Sequence, residues 1–201
     1  MSSPELDDAL LQNAAAGITV NVGANKNARD SSGNTALMLA VANGHYQIVK
    51  QLLEAGVDTT ITNNNGATPL LAAVESADVK MVELLLASGR VNPDQEHLKT
   101  HRTPLYAAAS LHENQFDSAI LIVEALIKHG ADETHLVPVE ETRENDGYYY
   151  YYDDDNDDDD IPSKEHYIDA AERAGNKKLV DMWWRRNTKL RPRVVVPPLQ
   201  F

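Results

Sequence analysis

Residues 30–62 read DSSGNTALMLAVANGHYQIVKQLLEAGVDTTIT, and residues 63–95 read NNNGATPLLAAVESADVKMVELLLASGRVNPDQ. Laid one over the other without a gap, they place Gly33 on Gly66, Thr35 on Thr68, Ala40 on Ala73, Leu52-Leu53 on Leu85-Leu86 and Gly56 on Gly89, each pair 33 residues apart. The pattern continues through Thr103-Pro104-Leu105-Tyr106-Ala107-Ala108 and Ile122–Asp132. There the third unit arrives two residues late at Thr103 and carries six extra residues near Ser110–Ser118. A fixed period of this length marks stacked supersecondary units, none of which can bury its apolar face alone.

Each unit explains its own local structure. Thr35, Thr68 and Thr103 are placed to N-cap a first helix, and Pro69 and Pro104 occupy the first helical position, where the missing N–H costs nothing. Ala40, Ala73 and Ala108 let neighbouring helices approach closely. Leu52, Leu53, Leu85, Leu86, Leu126 and Ile127 form the buried seam of a second helix, which Gly56, Gly89 and Gly130 end in the left-handed conformation.

The run G-x-T-P-L-x-x-A-A, followed by I/V-V-x-x-L-L and G-A-D, resembles the ankyrin repeat family over about residues 30–132, in units at 30–62, 63–97 and 98–132. The resemblance implies an all-α solenoid of inner helix, turn, outer helix and hairpin-like finger. It also implies protein binding on the concave face. Mapped onto this chain, that face comprises the finger tips Ser31, Ser32, Asn34, Asn64, Asn65, Ala67, Lys99, Thr100 and Arg102. The inner-helix exits Ala42, Asn43, Glu75, Ser76, Ser110 and Leu111 complete it.

Degenerate caps are expected at both ends. Ser3-Pro4-Glu5-Leu6 starts a helix to about Ala16 with Gly17 as its stop, and Gly23–Ala28 resembles the family's exit. Ile18–Val22 leaves no room for a full outer helix. Tyr167–Trp184 lines up with Leu37–Leu53, placing Gly175 on Gly44, Val180 on Val49 and Trp183-Trp184 on Leu52-Leu53. This closing repeat spans 163–184 with Ser163 as its expected N-cap, and its Trp pair stands where no further helix follows. Residues 185–201 form a basic tail with three prolines.

Between the third unit and the closing repeat lies an insert, 133–162, containing GYYYYYDDDNDDDD at 147–160. Tyr148, Tyr149, Tyr150, Tyr151 and Tyr152 precede Asp153, Asp154, Asp155, Asp157, Asp158, Asp159 and Asp160. Of the net charge of −13, residues 140–160 contribute −10 (1 Lys/Arg against 11 Asp/Glu) and residues 161–201 contribute +5 (9 against 4). Three readings of the insert stand. It is an open acidic spacer, or a hook for a basic protein or peptide in which Tyr faces stack on guanidinium groups, or a clamp on the basic segment Arg173–Arg193.

Catalytic signatures are absent: there is no phosphate loop, no G-x-S-x-G, no H-E-x-x-H and no cysteine. The acidic run fails as a calcium loop, because its sixth and twelfth positions hold Asp158 and Lys164. His97 and His101 are four apart, but in a finger rather than a helix. His45 sits at the family's Gly-His turn and is read as structural. No catalytic residue, metal or cofactor is therefore expected. The expected partner is another protein, with no specific nucleic-acid or membrane binding, and the chain is expected to be monomeric on its own. With no leader, no apolar span and no cysteine, the sequence points to the cytoplasm or nucleus.

Overall fold

The structure, a computed structural model, describes residues 4–17, 24–134, 137–138 and 164–186. Helix α1 (Pro4–Ala16) is followed by the pairs α2 (Ala36–Ala42) and α3 (Tyr46–Glu54), α4 (Pro69–Glu75) and α5 (Val79–Ala87), and α6 (Pro104–Ala109) and α7 (Phe116–Lys128). The last pair is α8 (Tyr167–Ala174) and α9 (Lys177–Arg186). The inner helices α1, α2, α4, α6 and α8 pack in succession, and α3, α5, α7 and α9 form the outer row.

Each inner helix begins as its residue pattern dictates. The hydroxyls of Thr35, Thr68 and Thr103 accept hydrogen bonds from the amides of Met38, Leu71 and Tyr106 at 3.4, 3.1 and 3.2 Å. All three threonines are buried, so each cap satisfies an amide that water cannot reach. Ala40, Ala73, Ala108 and Ala171 are fully buried at equivalent positions of the four pairs. A methyl side chain at these positions lets successive inner helices approach closely. Leu52, Leu85 and Leu126 close the seam on the outer row, and Trp183 takes the same place in the closing pair.

The fingers are tight turns, each closed by a pair of backbone bonds: Asp30 N–H to Asn34 O with Gly33 N–H to Asp30 O, Asn63 N–H to Ala67 O with Gly66 N–H to Asn63 O, and His97 N–H to Arg102 O with His101 N–H to His97 O. The third encloses one residue more than the others, and His101 adopts a left-handed φ of +54° there. The other residue of the two-residue delay lies between Gly89 and the Asn92 turn. Neighbouring fingers are stitched by backbone bonds, Asn64 N–H to Ser32 O and Leu98 N–H to Gly66 O. The Arg29 guanidinium spans two fingers, donating to Gly33 O and Thr62 O.

At the N-terminal end, α1 stops at Gly17 as its sequence requires. The His45 ring reaches back to the Ala15 carbonyl at 2.9 Å, which gives this histidine its structural work. Residues 18–23, the stretch too short for an outer helix, lie outside the described residues.

The closing repeat departs from expectation at its start. Ser163 is not its N-cap: α8 begins at Tyr167 and is capped by His166, whose ring accepts from the Ile168 amide while the Asp169 carboxylate accepts from the His166 amide. The reciprocal geometry of a capping box is thus built from His and Asp rather than Ser and Glu. Just before it, a two-residue antiparallel pair, β1 (Val137–Pro138) with β2 (Lys164–Glu165), adds strand to an otherwise helical fold.

Finger stacking gives a direct test. Gly66 has φ +98°, and a Cβ there would lie 3.1 Å from Leu98 Cβ and 3.2 Å from the amide nitrogens of Leu98 and Lys99. Gly89, at φ +64°, faces open space. Gly66→Ala is expected to lower stability by roughly 1–3 kcal/mol, and Gly89→Ala by less. Urea unfolding midpoints of the two variants check the order.

Candidate protein-binding surface

The residues mapped to the concave face fall into three groups. Ser31, Ser32, Asn64, Asn65, Lys99 and Arg102 are exposed at the finger tips, as are Ala42, Asn43, Glu75 and Ser76 at the helix exits. Asn34, Ala67, Thr100 and Ser110 are half-buried. Leu111 is the correction: at 7% exposure it belongs to the core, because the extra residues after Ser110 turn its side chain inward before α7 begins.

Several polar groups are already engaged within the array. Asn64 Nδ2 donates to Ser31 O at 3.0 Å, and Asn34 Oδ1 accepts from Asn63 Nδ2 at 3.0 Å. The hydroxyls of Ser76 and Ser110 donate to Ala73 O and Tyr106 O, and Asn43 Nδ2 to Leu39 O. These hydrogen bonds tie finger tips and helix ends to their neighbours in the array.

Charge changes along this surface. The mapped tip residues of the first two fingers are neutral, with Arg29 and Asp30 at the base of the first, whereas the third tip carries Lys99 and Arg102, the Arg102 guanidinium carbon lying 5.5 Å from the centre of the Tyr106 ring. Leu98, at 66% exposure, stands at the same tip. Three residues beside the mapped tips and helix exits were not in the sequence mapping: Leu98, Tyr106 and Arg173. Tyr106 occupies the position of Met38 and Leu71. Arg173 is the closing repeat's equivalent of Ala42, so extending the register by one repeat finds it.

The finger histidines do not converge. His97 Nδ1 accepts from the amides of Lys99 and Thr100, while His101 pairs with Glu96 at 2.9 Å. Among the described residues no three His, Cys, Asp or Glu are grouped to hold a metal ion, and no helix is long and apolar enough to cross a membrane.

At the base of the insert, Glu133 ties the third unit to the closing repeat. Its carbonyl accepts from the His166 ring, its carboxylate accepts from the Tyr167 hydroxyl at 3.3 Å, and Arg186 lies 3.9 Å away. Burial, then the neighbouring Glu133 carboxylate, pushes the Tyr167 phenol well above its ordinary range. Trp183 packs edge-on against His166 at 5.5 Å. The stretch 139–163 thus leaves and re-enters at adjacent points of one strand pair. Tyr148–Tyr152 and the aspartates 153–155 and 157–160 lie outside the described residues.

The family model for ankyrin repeats in three copies matches residues 8–97 and 55–136. The chain belongs to the ankyrin-repeat family. A putative ankyrin repeat protein of Acanthamoeba polyphaga mimivirus is 30% identical over 124 residues, covering 55% of this chain and 16% of that protein. One from fowlpox virus is 39% identical over 115 residues, covering 55% and 33%. The neurogenic locus notch homolog protein 1 of Homo sapiens is 41% identical over 85 residues, covering 42% and 3%. The chain thus spans a third or less of these proteins' lengths, and the repeat array is what they share. Ankyrin repeats are generally protein–protein interaction modules and typically non-enzymatic.

His166 supplies the pH test. Burial pushes its pKa below the ordinary 6.5, outweighing Glu133, Asp169 and Asp132, which favour the charged ring. The neutral ring accepts from Ile168 at Nδ1, a bond that protonation removes. Its stabilising contribution is complete above pH 6.5 and is lost as pH falls through the lower folded-state value. His166→Asn, which retains a capping side chain, is expected to flatten the fall in unfolding free energy between neutrality and mild acid. Parallel denaturation series on both proteins check this.

Proposed function

We propose that this ankyrin array is a non-catalytic recognition module, an escort, adaptor or scaffold, whose acidic insert engages a basic protein or peptide while the concave face completes the contact. The observation that supports the reading is the strand pair β1–β2 with the Glu133 tie. A stretch containing 11 carboxylates and five consecutive tyrosines is held at its two ends against a closed repeat, so it is presented as a loop of fixed origin. Clustered carboxylates raise the local concentration of a cationic partner and steer it. Tyrosine faces add cation–π contacts that need no fixed register.

A second reading is favoured by the basic residues of the closing outer helix, Lys177, Lys178, Arg185 and Arg186. In it the chain is a regulatory or accessory subunit, and the insert is a spacer or a clamp on Arg173–Arg193.

One pair of measurements separates the two. A fluorescein-labelled Lys/Arg-rich peptide is titrated by anisotropy against the full chain and against a variant lacking Tyr148–Asp160. Recognition by the insert predicts affinity at least about tenfold weaker for the variant at low salt, with the difference shrinking as salt rises and the unfolding midpoint unchanged. The clamp predicts a lowered midpoint with unchanged affinity, and that result would remove the basic-client reading.

A further inference from the structure

We infer that residues 187–201, which lie outside the described residues, fold back over the open end of their own stack, covering the face that α8 and α9 turn away from α6 and α7. The inference goes beyond the recognition reading and is independent of it.

The end face departs from its equivalents in the array. Val41, Val74 and Ala109, at matching positions of α2, α4 and α6, are 3% exposed or less, and Val49, Val82 and Val123 of the outer helices are fully buried. Each of those pairs has another pair beyond it. Among the described residues α8 and α9 have none. The same register places Glu172, exposed, and Val180, half-buried, at these positions, with Trp184, also half-buried, in the place of Leu53 and Leu86. A cleft of about 310 Å3 opens on this pair, lined by Glu172, Gly175, Lys177, Val180 and Asp181.

The tail has the matching chemistry. Helix α9 ends at Arg186, and the sequence continues as NTKLRPRVVVPPLQF. That stretch holds three cations and no carboxylate, whereas the cleft offers two carboxylates against Lys177. Burial, then the Asp169 carboxylate, raises the Glu172 carboxyl above its ordinary range, so an approaching cation relieves a cost already present. Pro192, Pro197 and Pro198 bar a continued helix. In an extended chain Lys189, Arg191 and Arg193 share one side, and Leu190, Val194 and Val196 the other. Such a chain offers cations to Glu172 and Asp181 and aliphatic groups to Val180 and Trp184 together. Its reach suffices: residues 187–193 extend up to about 23 Å, against roughly 15 Å for the length of α9.

Both tryptophans of the chain, Trp183 and Trp184, lie in the closing repeat, so their fluorescence reads this face. Acrylamide quenching is measured on the full chain and on a variant ending at Arg186. The truncation is expected to raise the quenching constant at least about twofold and to shift emission to the red. A synthetic peptide of residues 187–201 is expected to reverse both changes. In the full chain, Glu172→Gln with Asp181→Asn is expected to raise quenching too, and Glu124→Gln, exposed on α7, to leave it unchanged. Unchanged quenching on truncation overturns the proposal. Should the truncation lose helix content by circular dichroism, the double variant decides, and quenching equal to the parent overturns it. A further arm replaces Asp153–Asp155 and Asp157–Asp160 with Asn. Quenching raised there as in the truncation means that the acidic insert holds the tail, and it overturns the proposal; unchanged quenching supports it. Quenching of the full chain that falls as protein concentration rises means that the tail covers a second copy, and it overturns the proposal as well.

Discussion

A helix pair of this kind has an apolar face on each side and covers neither by itself; that face must be met by the next pair. Everything else in the molecule follows from how the faces are matched. Alanines at 40, 73, 108 and 171 set the inner spacing, and Leu52, Leu85, Leu126 and Trp183 set the outer seam. Burying such side chains is worth on the order of 1.5–3 kcal/mol each, more than any finger bond contributes. Without α8 and α9, the far side of α6 and α7 would stand open to water. The chain therefore has to return after residues 139–163, and among the described residues Glu133, His166 and Tyr167 tie the return point.

That arrangement separates stability from recognition. Among the described residues the pairs on either side of 139–163 meet directly, α6 against α8 and α7 against α9. The six extra residues after Ser110 similarly leave Ala108 and Ile122 buried while shaping a groove on the surface.

The period, the threonine caps, the prolines at the helix starts and the buried seam were all legible in the sequence, because each rests on one residue type at one position with a local cause. Three features were not. Ser163 looked like the closing cap because serine is the common choice. His166 wins by also reaching the Glu133 carbonyl, a contact 33 residues away in sequence. Leu111 looked like a surface exit because the regular repeat puts one there; the irregular turn buries it. The groove between Arg102 and Arg173 depends on the packing of α6 against α8, which bridges the whole insert.

The central claim is that the closing repeat completes one continuous stack across the insert. Amide hydrogen exchange of the full chain, resolved by segment, tests it most directly. The account predicts that α8 and α9 exchange together with α6 and α7, with protection within about tenfold of that in α4 and α5. Exchange of residues 167–186 at rates close to those of an unstructured chain, while α4 to α7 stay protected, would contradict it.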